Sequence, residues 1–112
     1  MSIEFVQIPQ AGLPAAAFDY AWRGRVLTTT LYHVERGEDG AVASRTAVAT
    51  EVFDFSGLAA GDVAQIEPQV LPVNPVVSAL CDESGDLHVQ VVRWYDPRYE
   101  AAPTLEKEVL DG

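Results

Sequence analysis

A mainly β fold is what this sequence predicts, and three stretches carry that expectation. From Val26 to Val34, β-branched and aromatic residues dominate, with Val26, Thr28, Thr30, Tyr32 and Val34 on one face and Leu27, Thr29, Leu31 and His33 on the other; such side chains fit a pleated surface better than a helix. Ala41–Phe55 returns with a matched length after the polar turn Arg36–Gly40, which makes a long hairpin. Val76–Cys81 and Leu87–Tyr95 flank the turn sequence Asp-Glu-Ser-Gly-Asp and make a second hairpin. The predicted architecture is a small antiparallel β-sandwich or open barrel. It is built from hairpins at about 22–55 and 76–95 plus an N-terminal strand, with helix a minor component.

The elements follow in order. Ile3–Ile8 alternates Ile3 and Phe5 with Glu4 and Gln7 and reads as a short strand, ended by Pro9 and the run Gln-Ala-Gly-Leu-Pro. Ala15–Tyr20 is ambiguous. Trp22–Glu35 reads as one long strand. On the returning strand, Val42, Ser44, Thr46, Val48, Thr50 and Val52 share one face, and Arg45, Ala47, Ala49, Glu51, Phe53 and Phe55 share the other. The small alanines there imply close packing or an intermolecular contact. Ser56–Asp62 reads as a small-residue turn, one helical turn at most, capped by Asp54 or Ser56. Val63–Val70 is expected to be a short extended piece. Pro72 and Pro75 force an extended connector around Val73–Asn74. Residues 1–99 form a single β domain on this reading, and 100–112 an acidic tail with a short helix from Thr104 that docks or frays. The expected core contains Phe5, Val26, Leu31, Val52, Phe53, Phe55, Val77, Leu80, Val89, Val91 and Trp94.

Composition narrows function by exclusion. The chain has 112 residues and a formal net charge of −10, from seventeen acids against seven bases. Nucleic-acid binding needs lysines and arginines to neutralise phosphates, and the few here are scattered, so no nucleic-acid partner is expected. Anionic membrane surfaces are disfavoured for the same reason. Apolar runs are a few residues long, whereas a membrane-spanning helix needs about 20. The start, MSIEFVQIPQ, has no basic segment and an early Glu4, so no signal peptide is expected. The single cysteine, Cys81, permits no internal disulfide.

Candidate chemistry is sparse. His33 and Glu35 share a strand face and His88 is a second histidine, but a zinc site needs three or four convergent ligands at close spacing. Cys81 sits in the apolar run Val-Val-Ser-Ala-Leu-Cys, where a buried, inert thiol is expected. Ser78 lacks the glycines of a nucleophile elbow. The acidic turn Asp82–Asp86 lacks the ligand alternation of a calcium loop and reads as a solvated hairpin turn. No catalytic residue, metal site or cofactor is therefore expected. The residues that invite a partner are Trp22, Arg23, Arg25, Arg93, Trp94, Tyr95 and Tyr99, because Trp, Tyr and Arg dominate interface hot spots. The same aromatics also suit a β core.

The series Phe53-Asp-Phe-Ser56, Gly61–Asp62, Leu71-Pro-Val-Asn-Pro-Val-Val-Ser-Ala79 and Gly85–Val89 resembles small uncharacterised phage and prophage proteins encoded near tail genes. It spans residues 53–95, with the Gly and Asp in the opposite order and Arg-Trp-Tyr closing the last strand. The resemblance implies a non-enzymatic structural or assembly protein, tail-associated. Such a protein works through protein partners or self-association, in the virion or in the host cytoplasm during assembly. The residues leave two other readings open. One is an acidic host-directed inhibitor mimicking nucleic acid. The other is a small ligand-binding or catalytic β domain, which requires a concave pocket with convergent polar groups.

Overall fold

The computed structural model describes residues 1–12 and 15–112. Seven strands form two sheets: β1 (Ser2–Ala11), β2 (Ala16–Arg23), β3 (Val26–Arg36), β4 (Val42–Asp54), β5 (Val76–Cys81), β6 (Leu87–Tyr95) and β7 (Glu106–Asp111). The four-stranded sheet has the order β5-β6-β1-β7 and the three-stranded sheet β2-β3-β4. The mainly β expectation holds, and the described residues contain no helix. Between the sheets lie Ile3, Phe5, Leu27, Leu31, Phe53, Phe55, Leu71, Val76, Ala79, Leu87, Val89 and Val91. Aromatic edges lock the layers together. Phe5 meets Tyr20 at 5.7 Å and Trp22 at 5.5 Å, both edge to face. Burial raises the pKa of Tyr20, whose hydroxyl donates to the Val92 carbonyl.

Several elements differ from the sequence reading. The stretch 22–35 is not one strand. Gly24, at φ 58°, opens a two-residue turn with Arg25, so β2 and β3 form a tight hairpin and the first unit is a three-stranded meander. Glycine at the first central position is what a type II′ turn demands. β1 runs through Pro9 instead of stopping there. β7 pairs with β1 only from Ser2 to Gln7, so at Pro9 one side of the strand is open and the missing N–H costs no ladder bond. Leu13 and Pro14, part of the expected stop signal, lie outside the described residues. The sheet is not wholly antiparallel, because β1 pairs in parallel with β6, Ile3 opposite Leu87 through Ala11 opposite Tyr95. The expected C-terminal helix is β7. A six-residue helix is marginal alone, and the free edge of β1 offers a full ladder instead. Ser56–Asp62 makes turns without a helical one; Asp54 accepts from the Ser56 amide at 2.9 Å, and Asp62 from the Ala59 amide at 2.9 Å. Val63–Val70 contributes only a bridge from Val63 to Leu80.

The core list needs five corrections. Val52 is 57% exposed because its neighbour Phe53 faces inward, and adjacent residues of a pleated strand face opposite ways. Val26 is half-buried for the same reason beside Leu27, and Leu80 beside Ala79. Val77 is 55% exposed because the register shift between Val76 and Ser78 leaves it unpaired in a bulge. Trp94 is half-buried against Phe18. Phe5, Leu31, Phe53, Phe55, Val89 and Val91 are buried as expected.

The connector from β4 to β5 closes one side of the sandwich. Its anchor is Glu51, a core-facing carboxylate that is 8% exposed. It accepts the amides of Gln69, Val70 and Leu71 at 2.7, 2.9 and 3.0 Å. Burial pushes this carboxyl up, but the three amide bonds together outweigh it and hold the pKa below the ordinary value. Farther back, Gly61, Asp62 and Ala64 bond to Cys81 and Ala79 and cover the outer edge of β5.

Glu51→Gln should lower unfolding free energy at neutral pH by about 1–3 kcal/mol, since three connector amides, that of Leu71 buried, lose a charged acceptor. A group with a depressed folded pKa stabilises above its unfolded value and ceases to do so as pH falls through the folded one. The gap between variant and parent should therefore narrow in acid. Urea titrations at several pH values measure it, and a constant gap would show that the Glu51 charge is not what holds the connector.

Candidate functional site

The seven residues singled out from sequence lie at opposite ends of the sandwich. At the β2–β3 turn, Trp22 packs inward, and its buried Nε1 has no hydrogen-bond partner. Arg23 is exposed. Arg25 reaches across to the other sheet, donating from Nη2 to the Gly85 carbonyl at 2.6 Å and from Nε to the Gly112 carbonyl at 2.9 Å, with Nη1 3.8 Å from the Cys81 sulfur. Arg25 thus stitches the two sheets at that end.

At the far end, Arg93 pairs with Glu106, and the Trp94 indole donates to Gln10 Oε1 at 3.0 Å. Tyr95 is half-buried, and its carbonyl accepts from the Gly12 amide at 3.2 Å. Tyr99 is 52% exposed, with the Arg36 and Arg98 guanidinium carbons 4.8 and 5.4 Å from its ring centroid. Arg36 also donates to the Gly40 carbonyl and pairs with Glu100 at 2.9 Å, so it binds the β3–β4 turn to the segment after β6. Between these parts lies a groove of about 430 Å³. Its three arginines are each matched by an acid: Arg36 by Glu100, Arg45 by Asp19 at 2.8 Å, and Arg93 by Glu106. Such a groove has no net pull on an anion.

The remaining polar residues hold the fold together. His33 is exposed, 3.9 Å from Glu35. Cys81 is buried. Ser78 Oγ donates to Gln90 Oε1 at 3.2 Å. The acidic hairpin turn folds on itself: Asp82 Oδ1 accepts the amides of Ser84 and Asp86, and Gly85 takes φ 85°. His88 sits at the centre of a polar cluster. Its Nε2 lies 2.7 Å from Asp82 Oδ2 and its Nδ1 3.6 Å from Glu4, which also meets Lys107 at 3.3 Å. Both ring nitrogens face carboxylates, and Ser78 is bonded to Gln90 instead. The Asp82 hydrogen bond raises the His88 pKa, burial opposes it, and the Glu4 charge adds to the rise.

The most unusual feature was only half visible in the sequence. Val42–Val48 of β4 are exposed on both faces, as is Thr50, and Ala49 is half-buried. Val42 and Val48 are 50% and 62% exposed. The sheet order leaves β4 without a neighbour on its outer side, and the connector covers it only from Glu51 onward. The molecule is correspondingly long, 50 × 28 × 20 Å, with a radius of gyration of 15.1 Å; a compact chain of this length gives about 13 Å. The available signal was a run of β-branched and small residues with no large side chain to bury.

A histidine whose folded pKa is raised stabilises fully below its ordinary value of 6.5 and loses that contribution as pH rises through the folded value. Asp82, held low first by the His88 hydrogen bond, does the reverse and loses its contribution in acid. His88→Gln should therefore flatten the fall in melting temperature from mildly acidic to mildly alkaline pH. Thermal melts across that range test it, and an unchanged slope would remove His88 as its source. No family model matches the chain, and no significantly similar curated protein or solved structure was found.

Proposed function

We propose that this chain is a non-enzymatic assembly protein that acts by protein–protein contact, with a phage tail as its setting. The observation that carries the contact is the open edge of β4. A sheet edge presents a row of unpaired N–H and C=O groups, a ready template for another strand. Here that edge projects past the core, carries exposed Val42 and Val48, and runs for nine residues of strand with none of them buried. The setting rests on the resemblance across residues 53–95.

Lysine or proline on an edge strand blocks pairing while sparing the ladder on the inner side. Ala47→Lys and Ala47→Pro should therefore leave the circular-dichroism spectrum unchanged and cut incorporation into purified particles at least tenfold. Mass spectrometry of virions made with parent and variant chains measures this. Absence of the parent chain from the particles would remove the virion role. Full incorporation of both variants would remove the β4 edge as the contact.

A further inference from the structure

We infer that the occupant of the β4 edge is a second copy of this chain, joined antiparallel about Thr46; this rests on the contact reading above. The backbone phase is set at both ends of the strand. Gly37 N bonds to the Ala41 carbonyl and Phe55 N to the Arg25 carbonyl. Following the register inward from each end, through the shifts between Leu31 and Tyr32 and between Glu35 and Arg36, turns the backbone groups of Ser44 and Thr46 toward β3. Arg45 and Ala47 then turn theirs outward, where a new strand bonds.

Charge selects a second copy. On a chain of net charge −10, the stretch 42–50 holds no acid and one base, Arg45. That base is matched by its own Asp19 at 2.8 Å and lies 4.2 Å over the Tyr32 ring. The other open edge strand of comparable exposure, β7, carries Glu106, Glu108 and Asp111 against one lysine, so two copies repel there. The outer edge of β5 is already covered. Charge also selects the register. Placing Arg45 opposite itself sets like charges face to face. Moving by one residue on each strand places Thr46 opposite Thr46 and Arg45 opposite Ala47, a favourable pairing with the outward groups aligned. The contact is isologous and closes as a two-fold dimer, with a continuous sheet β2-β3-β4-β4-β3-β2 across it.

Thr46 faces its copy as a non-hydrogen-bonded pair, with Cα atoms about 4.5 Å apart, within disulfide reach. Thr46→Cys in the full chain, under mild oxidation at low concentration, should form a disulfide dimer at least tenfold faster than Val109→Cys, an exposed site on β7. Cys81 stays in place, and the parent chain is the blank. Sedimentation should give a dimer for the parent and a monomer for Ala47→Lys. Equal cross-linking rates with a monomeric parent overturn the dimer. If Ala47→Lys nonetheless fails to enter particles, the edge takes a strand of another protein, so the dimer falls and the contact reading stands. A dimer that cross-links through Thr46 but is absent from particles supports the pairing and removes the virion role.

Discussion

A buried carboxylate holds this fold closed. Glu51 sits on the core face of β4 between Ala49 and Phe53, and it survives there because three consecutive amides of the connector converge on it. Without a charged acceptor the buried Leu71 amide would be unpaired, and the segment that carries Leu71 and Pro75 into the core would be less firmly anchored. On the side of the sandwich between β4 and β5, this contact works beside the bonds of Gly61, Asp62 and Ala64 to β5. The opposite corner is held by Arg25, which joins the β2–β3 turn to Gly85 and Gly112. Two charged side chains, each working on backbone groups, fasten two sheets whose interior is mainly apolar and aromatic, with Thr29 a buried exception.

The elements legible in sequence were those whose signal is local. Alternation and turn chemistry located β3, β4, β5 and β6, and the Asp82–Asp86 turn needed nothing beyond its own residues. Long-range partners stayed hidden. Glu106-Lys-Glu-Val-Leu has no strand signature of its own and is a strand because β1 has a vacant edge. Nothing in Ser2–Ala11 announces a parallel partner 84 residues farther along. Gly24 looked like a lone glycine in a strand, whereas its positive φ makes it a hairpin. The contact residues were half legible. Trp22, Arg25 and Trp94 stand out for their type, yet the Trp22 ring packs inward and Arg25 and Trp94 bond within the chain. The exposed surface is made of Val, Thr, Ala and Ser, which carry little interface signal one by one.

The charges divide the molecule into regions with different work. Acids gather in the Asp82–Asp86 turn, the segment after β6 and β7, where they accept amides or pair with Arg36, Arg93 and Arg98. The projecting half of β4 is left nearly neutral. An acidic body keeps copies apart in solution, and a neutral edge leaves one direction of approach free of that repulsion.

The parallel pairing of β1 with β6 bears on how the chain reaches its native state. β1 comes earliest of the seven strands, yet its neighbours on either side are β6 and β7, the last two. During synthesis it has no sheet partner until nearly all of the described chain has emerged. The β2-β3-β4 meander, by contrast, pairs only with itself and is available early. Folding should thus begin in the three-stranded sheet and close late, when β1 is captured between two distant strands. Loop closure on that scale is slow. In that interval the apolar face of β1, with Ile3 and Phe5, is open to solvent, the state most prone to misassembly.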